Sequence, residues 1–412
     1  MRRSKSRGGP SVTVRGREET MKITAQKVFV ANVSRTNFVF VKLYTDEGYE
    51  GVGEATLEWR TKTVVSALEE LERVLIGRDP FAVDAIIEQL HRDSYWRTGA
   101  VFRTALGAIE AALLDIKGKA LGVPVFELLG GKYRDRVQCY ANHWFFGATT
   151  PDQYAENARK AVAMGYRALK WDPFDVADLE MDRKQRRQTI DIVAAVRDAV
   201  GPEVDLMLDV HGRLNVPTAI AMCRELAPYD LRWIEEPTPP ESIDALVDVR
   251  AHSPVPIAAG ERWFEPGKFL EALNKKAVDI LQPDVSHAGG MGETKRISHM
   301  AHHHLIPVAP HNPVGPVMNA MTLHMSVAVP NFSIFETVSV DVPWRKELVN
   351  ETLQFEDGAI LAPTAPGLGI ELIEEACARY PYAPYNVPLF DGSMNTSGVA
   401  TGAATLSNAP KK

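Results

Sequence analysis

Six acidic or imidazole side chains recur at nearly even intervals through the middle of the chain. Each ends a short apolar run of the kind that forms a buried β-strand, and successive members lie 23 to 27 residues apart. One such residue is ordinarily a loop acid or a helix cap, but six in step predict side chains that meet at one edge of a sheet. The six are Asp209, Glu235, Glu261, Asp284, His311 and Glu336.

Carboxylates gathered in this way repel one another by about 4 kcal/mol per pair at a separation of about 4 Å and an effective dielectric near 20. A divalent cation would offset that repulsion. Asp209, Glu235 and Glu261 offer only oxygen ligands, which favours Mg²⁺, with Mn²⁺ as the alternative. The site would keep a net negative charge, so an anionic substrate would need to chelate the metal and to find a cationic neighbour such as Lys170. A carboxylate substrate meets that requirement.

Two histidines are placed to move protons. Asp284 and His311 end neighbouring predicted strands, so the carboxylate is positioned to bond the imidazole and fix its tautomer, which is the arrangement of a general base. His211 follows Asp209 by two residues and is expected to point to the same side of the sheet. His143 ends an earlier apolar run and is either a substrate contact or a structural histidine.

These residues require a fold that brings the ends of consecutive strands together. Between Val137 and Glu336, eight short apolar runs alternate with amphipathic stretches. This alternation predicts a parallel sheet wrapped by helices, and TIM-barrel active sites lie where such strands end. Residues 21–136 instead read as about three strands around the turn DEG, followed by three amphipathic helices.

We therefore predict an α/β fold, a modified TIM barrel of the (β/α)7β type with an α+β capping domain. The cap is built from the N-terminal region and completed by the C-terminal segment. The predicted boundaries are a disordered extension at 1–20, the cap at 21–136, the barrel at 137–342, the returning segment at 343–392 and a disordered tail at 393–412.

Composition excludes several classes of partner. The chain has 412 residues, of which 45% are hydrophobic and 24% charged, and its net charge of −7 gives no reason to expect nucleic acid. No apolar run is long enough to span a bilayer, so we expect no membrane partner. Three cysteines without a CxxC pair fit a reducing cytoplasm. We expect a cytoplasmic homo-oligomer acting on a small molecule.

Several strings of the sequence resemble one known family. WIEEP, AAGER, LQPDVSHAGG and APHNPVGP are similar to the sugar-acid dehydratases of the enolase superfamily, in its mandelate racemase subgroup, and the resemblance spans nearly all of residues 21–392. It implies that Asp209, Glu235 and Glu261 bind Mg²⁺ and that His311, paired with Asp284, removes the proton α to a carboxylate. The resemblance further implies that Glu336 supports the enediolate and that His211 is the acid that assists loss of the 3-hydroxyl.

The chain departs from the racemases of this subgroup after the second barrel strand. They carry Lys-X-Lys there, with the second lysine as an opposite-face base, whereas this chain has Lys170-Trp171-Asp172. The departure disfavours racemisation and leaves Lys170 as a partner of the substrate carboxylate or as a surface lysine. We place Asp172 with the substrate-binding residues. Since cap loops select the substrate in this family, Asn37 and Trp59 join them.

The resemblance implies Mg²⁺-dependent dehydration of an aldonate such as D-galactonate to a 2-keto-3-deoxy sugar acid. The identity of the aldonate stays open, with gluconate and arabinonate as alternatives to D-galactonate. Two alternatives stay open: a sugar-acid epimerase or racemase on the same barrel, and a catalytically silent metal-binding structural protein.

Overall fold

The computed structural model describes residues 20–34, 36–174, 176–351, 353–384 and 403–404. Apart from Thr20 and residues 403–404, the predicted disordered extensions lie outside the described residues. Among the residues that it does describe, no helix combines the length and the apolar character that crossing a bilayer requires.

The N-terminal region forms a three-stranded antiparallel meander followed by helices, which confirms the predicted α+β cap. The hairpin between the second and third strands turns at Asp46–Gly48, where Gly48 adopts a positive φ of 80°. The elements are β1 (Ile23–Asn32), β2 (Asn37–Thr45), β3 (Glu50–Glu54), α1 (Thr61–Leu75), α2 (Val83–Asp93), α3 (Ala100–Leu121) and the short α4 (Val125–Leu128).

Helix α3 is the core of the cap and is buried on most of its circumference. It packs directly on β3, where two glycines of the sequence GVG allow the backbones to touch. A Cβ atom on Gly51 or Gly53 would overlap the carbonyl oxygens of Ala112 and Ala108. The sheet therefore lies closer to this helix than any side chain would permit.

The central region closes into a parallel barrel, as predicted. Strands β4 to β9 pair in chain order, and β10 pairs in parallel with β4. The seventh position of the ring is held by isolated bridges from Val308 to Leu281 and Phe332. The strands are β4 (Arg136–Asn142), β5 (Ala168–Trp171), β6 (Asp205–Asp209), β7 (Leu231–Glu235), β8 (Ile257–Ala259), β9 (Ile280–Leu281) and β10 (Phe335–Val338).

Helices follow the barrel strands on the outside. Helix α5 begins at a capping box formed by Thr150 and Gln153, and α6 begins at another formed by Asp182 and Gln185. Helix α11 is buried along its whole length. The barrel helices are α5 (Pro151–Ala163), α6 (Arg183–Val200), α7 (Val216–Leu226), α8 (Ile243–His252), α9 (Pro266–Asn274), α10 (Met291–His303) and α11 (Pro316–Val327).

Side chains fill the inside of the barrel beneath its mouth. Trp233 and Tyr140 meet edge to face, with ring centroids 5.9 Å apart, so the barrel is a packed core and not a pore. The eight buried residues of this inner cluster are Tyr140, Ala168, Met207, Trp233, Ala258, Ile280, Ala309 and Ile334.

The chain after β10 returns to the cap. Trp344 Nε1 donates to the carbonyl of Asn32 at 3.0 Å, and Lys42 Nζ lies 2.7 Å from Glu374 Oε1. These contacts tie the returning segment to β1 and β2. Its elements are β11 (Val340–Asp341), a 3₁₀ turn (Pro343–Glu347), β12 (Val349–Glu351), β13 (Phe355–Glu356), β14 (Ala359–Leu361), β15 (Ile370–Leu372), α12 (Glu374–Arg379) and β16 (Ala403–Ala404).

Two buried glutamates of the cap dock onto barrel helices. Glu54 accepts hydrogen bonds from the backbone N–H groups of Gly315 and Met318, at the start of α11. Glu110 accepts from the N–H of Gly292, in the first turn of α10. Helix N-termini have unsatisfied N–H groups, so both glutamate side chains accept hydrogen bonds that join the cap to the barrel.

Candidate active site

A cavity of about 260 Å³ opens between the cap and the mouth of the barrel. The cap contributes the loop after β3, and the barrel contributes residues at the ends of its strands. The lining residues are Leu57, Glu58, Trp59, Asn142, His143, Phe145, Phe146, Lys170, Asp209, His211, Glu261, Arg262, Phe264, His287, His311 and Pro313.

The three predicted metal ligands converge at the floor of this cavity. Asp209 and Glu235 end the adjacent strands β6 and β7 and pair in register, and Glu261 lies two residues beyond β8. One carboxylate oxygen from each lies within 4.8 Å of the others, and all three side chains are buried. Barrel closure thus brings together residues that are 26 positions apart in the sequence.

Lys170 is buried, not a surface lysine. Its Nζ lies 3.0 Å from Glu235 Oε1, 3.0 Å from Glu336 Oε1 and 3.5 Å from Asp209 Oδ2. One cation thus offsets part of the charge of three carboxylates. Because the ammonium also lines the cavity, it is positioned to attract an anionic substrate.

The carboxylates remain electrostatically strained. Burial, followed by the charges of Glu236, Asp209 and Glu235, raises the pKa of Glu261 well above its ordinary value despite the attraction of His311. Burial and the charge of Asp209 also raise the pKa of Glu235, against the attraction of Lys170. One oxygen of Glu261, Oε2, is buried without a hydrogen-bond partner. A bound cation would stabilise these buried carboxylates and would give that oxygen a partner.

The donor set fits a hard divalent cation. Three carboxylates on adjacent strands, one with an unpartnered oxygen, match the oxygen ligands that Mg²⁺ and Mn²⁺ prefer. The described residues also place Asp284, His287 and His311 within ligand distance of one another. However, His287 Nε2 donates to the carbonyl of Thr56 at 3.1 Å, so its ring holds the cap loop.

His311 and Asp284 form the predicted pair. Imidazole Nδ1 lies 2.8 Å from Asp284 Oδ2, and the other oxygen of Asp284 accepts from the N–H groups of Ser286 and His287. The buried carboxylate is thereby fixed in place. His311 Nε2 points the opposite way, toward the cavity, and lies 3.6 Å from Glu261 Oε2.

The electrostatics of His311 are dominated by its carboxylate neighbours. Burial lowers the pKa of the imidazole, but Glu261 and Asp284 outweigh burial and raise it well above its ordinary value. The strongest of these attractions comes from Glu261, one of the three carboxylates that a cation would neutralise.

His211 reaches the cavity by a turn and not by strand alternation. Strand β6 ends at Asp209, and His211 has a positive φ of 51°. Its backbone N–H donates to Asp209 Oδ1 at 2.9 Å, which holds the turn closed. The expectation that it points to the same side as Asp209 is confirmed, because its Nε2 lies 3.4 Å from Asp209 Oδ2.

Asp172, predicted to bind substrate, instead lies behind His211. It is 1% exposed, and its Oδ2 lies 2.8 Å from His211 Nδ1 and 2.6 Å from the guanidinium of Arg213. Burial opposes ionisation, yet Arg213 and His211 lower the pKa of Asp172 to about 2. The carboxylate is therefore ionised and fully engaged.

Glu336, like Asp172, is held by hydrogen bonds to its carboxylate and does not line the cavity. It lies within β10, one residue after the strand begins, and not at the strand end. Its oxygens accept from Asn142 Nδ2 at 2.8 Å and from the N–H of Asn312 at 2.7 Å. Burial raises the pKa of Glu336, but the attraction of Lys170 and His311 outweighs burial, and the net pKa lies below its ordinary value. Contact with an enediolate stays a prediction.

Of the remaining residues predicted to bind substrate, two line the cavity and one does not. His143 and Trp59 line the cavity, the former stacked on Phe146 with centroids 4.4 Å apart. Asn37 lies outside the cavity: its side chain donates to the carbonyl of Ala383 and accepts from its N–H. Its amide therefore holds the C-terminal segment to the cap.

Sequence reasoning missed several lining residues. Phe145, Phe146 and Phe264 give the cavity an aromatic wall, and Arg262 lies beside Glu261 with its Nε 2.7 Å from Glu236 Oε2. All four lie within four residues of a strand end or a predicted ligand. A search of the residues following each strand, and not only of the acids and histidines, would have found them.

Comparisons with known proteins agree with this architecture. Residues 153–376 match the family described as enolase C-terminal domain-like, and residues 11–130 match the mandelate racemase/muconate lactonizing enzyme N-terminal domain.

Individual relatives are similar over most of their length. A D-galactonate dehydratase of Ralstonia pickettii is 38% identical over 352 residues, covering 82% of this chain and 89% of that protein. A D-gluconate dehydratase of Thermoproteus tenax is 34% identical over 85% of this chain and 71% of that protein. The crystal structure of an enolase-superfamily member from Salmonella Typhimurium has a TM-score of 0.83 and 33% identity, over 88% of this chain and 98% of that one.

Proposed function

Because the chain belongs to the mandelate racemase and muconate lactonizing enzyme family, and is a hydro-lyase of that family, we propose that it dehydrates an aldonate with Mg²⁺. The product is a 2-keto-3-deoxy sugar acid. The observation that carries this proposal is the placement of two histidines around one carboxylate cluster, each with a buried carboxylate on its Nδ1.

Asp209, Glu235 and Glu261 would hold the cation. When bound, Mg²⁺ supplies positive charge for the carboxylate of the substrate and for the charge that develops on it as the α-proton leaves. Lys170 adds a second positive charge at the cavity floor. Both relatives named above act on sugar acids, which supports an aldonate as the substrate class.

His311 is the proposed general base. Its Nε2 takes the proton from C2 of the substrate, and Asp284 stabilises the resulting imidazolium through Nδ1. His211 then donates a proton from Nε2 to the 3-hydroxyl as the C3–O bond breaks. Water leaves, the electron pair from C2 forms the C2–C3 double bond, and the enol tautomerises to the 2-keto acid.

The test is a panel of aldonates assayed with and without Mg²⁺ for keto-acid product by semicarbazide. We expect turnover of at least one aldonate, dependent on the metal. An epimerase would return the 2-epimer without loss of water, which one NMR spectrum of the product distinguishes. A silent metal-binding protein would show Mg²⁺-dependent stabilisation without turnover.

His311→Asn separates the base from the metal site. This variant should lose exchange of the C2 proton in D₂O by about 10²- to 10⁴-fold, because a general base supplies that factor. Its thermal stabilisation by Mg²⁺ should match the wild type. Retained exchange would refute the role of His311. The cytoplasmic location and the homo-oligomeric state stay predictions.

A further inference from the structure

Two of the histidines that line the cavity, His311 and His211, have the same kind of support. Asp284 lies behind His311 at 2.8 Å, and Asp172 lies behind His211 at the same distance. Both carboxylates are buried, and neither lines the cavity. In each pair the aspartate comes from the strand position next to that of its histidine, so the second pair repeats the construction of the first.

We propose that Asp172 and Arg213 are positioning residues that hold His211 with Nδ1 turned away from the substrate and Nε2 facing it. This inference rests on the proposed function. It replaces the expectation that Asp172 contacts the substrate and gives a role to the aspartate that stands where racemases of the subgroup carry a second lysine.

Three contacts fix Asp172 itself. Its Oδ1 accepts from the N–H of Phe174 at 2.8 Å, and its Oδ2 is shared between His211 and Arg213. Arg213 is 1% exposed, and its guanidinium also donates to the carbonyl of Val210 at 3.1 Å. The arginine thus ties Asp172 to the turn that carries His211.

The backbone of His211 does not fix the orientation of its ring. The residue follows the end of β6 in a left-handed conformation, φ 51°, and the next residue, Gly212, also has a positive φ of 65°. The side chain is 20% exposed at the cavity. Without a partner at Nδ1, the ring would be free to rotate about χ2 and to present either nitrogen to the substrate.

The site also requires that the two histidines act on different atoms. His311 removes the proton at C2, and His211 assists the departure of the oxygen at C3. A change that acts through His211 should therefore reduce water loss and leave C2 exchange nearly intact, which a general loss of structure would not do.

Asp172→Asn tests this separation in D₂O. We expect dehydration to fall by about 10- to 100-fold, within the factor that a positioned acid supplies, while the rate of C2 deuterium incorporation changes less than about threefold. Asp284→Asn is the matched control and should reduce both rates together. Equal loss of both rates in Asp172→Asn would overturn the proposal.

A double-mutant comparison shows whether Asp172 acts through His211. In the background of His211→Asn, adding Asp172→Asn should lower dehydration by less than about twofold, because the residue it positions is already gone. Full additivity of the two losses would overturn the proposal. It would assign Asp172 a separate, structural role.

A third measurement needs no turnover and stands apart from the proposed function. In protein with ¹⁵N-labelled histidine, the signals of His211, identified by their loss in His211→Asn, should show a proton on Nδ1 that Asp172→Asn displaces. An Nδ1 signal unchanged by Asp172→Asn would refute the positioning role even if the enzyme dehydrates an aldonate. Failure of every aldonate with the expected spectrum would refute the function alone.

Discussion

Two groups of buried carboxylates in this molecule have opposite surroundings. At the junction of cap and barrel, Glu54 accepts from Thr56, Gly315 and Met318, and Glu110 accepts from the N-terminus of a different helix, α10. At the barrel mouth, one oxygen from each of three carboxylates lies within 4.8 Å of the others, and Glu261 Oε2 has no hydrogen-bond partner.

Comparing the two groups shows which property distinguishes a candidate functional acid from a structural one in this fold. Burial raises the pKa of Glu54 and of Glu110 to about 7, yet these residues only dock one domain on the other. A buried acid with a raised pKa is therefore insufficient. The barrel mouth differs from the junction because its carboxylates lie close to one another and because one buried oxygen accepts no hydrogen bond from the described residues.

The largest expected effect comes from changing the mouth. Glu261→Gln should lower kcat/KM by about 10³-fold, or about 4 kcal/mol, because it removes a ligand of the cation. The metal-free protein should lose no thermal stability, since the substitution relieves repulsion. Turnover and the Mg²⁺-dependent shift in Tm check this.

Glu241→Gln, at an exposed position after β7, is the control for Glu261→Gln and should change neither quantity. If Glu261→Gln keeps the full Mg²⁺-dependent Tm shift, the mouth is not the metal site and the contrast between the two groups fails.

The junction should respond to pH and not to Mg²⁺. The folded pKa of Glu110 is about 7 against an ordinary 4.5, so the folded state keeps a proton that the unfolded chain releases. Stability from this group is complete below pH 4.5 and is lost as the pH rises toward 7, by about 3 kcal/mol at most. Glu110→Gln should flatten this dependence. Urea unfolding at pH 5 and pH 8 measures it, and equal slopes in both proteins would contradict it.

The close approach at the junction gives a steric test of intermediate size. Gly290 has φ 116°, and a Cβ there would overlap the Glu110 carboxylate. Gly99 has φ 107° with open space around it, so an alanine there would meet the same backbone strain without a steric clash. Gly290→Ala should therefore lower the free energy of unfolding by about 1–3 kcal/mol more than Gly99→Ala. Equal losses would show that Glu110 is free to move aside.

The smallest effect is expected at the rim of the mouth. Trp59 is 38% exposed and lines the cavity from the cap loop. Trp59→Ala should raise KM less than tenfold, about 1 kcal/mol, with kcat nearly unchanged, because it removes packing and no proton transfer. Trp59→Phe, which keeps a ring, should restore most of the affinity. A large loss of kcat would assign the residue to the chemistry.

Much of the site was readable in the sequence because each key acid stands near a strand end. Asp209 and Glu235 are the last residues of their strands, as predicted, whereas Glu261, Asp284 and His311 lie two or three residues past a strand or bridge. The seventh strand is reduced to the bridges at Val308, so His311 is carried by loop and not by strand. An apolar run in the sequence indicates buried residues, and burial continues past the last residue that pairs with a neighbouring strand.

The hydrogen-bond and ion-pair partners of these residues could not be predicted from the sequence. The sequence does not distinguish a substrate partner from a surface lysine at Lys170, which lies inside the carboxylate cluster. It predicts substrate contact for Asp172, which instead bonds His211. Each of these contacts crosses between strands. It depends on which strands are neighbours in the closed barrel and on the direction in which each side chain points.

The sequence by itself determined which residues lie near the ends of buried strands and which side chains carry acid, base or ligand chemistry, because hydrophobic periodicity and residue type are local properties. Only the tertiary structure decided which carboxylate faces a helix N-terminus, which faces a histidine and which is left crowded. Those outcomes depend on ring closure and on the left-handed turn at His211, which place residues tens of positions apart within hydrogen-bonding distance.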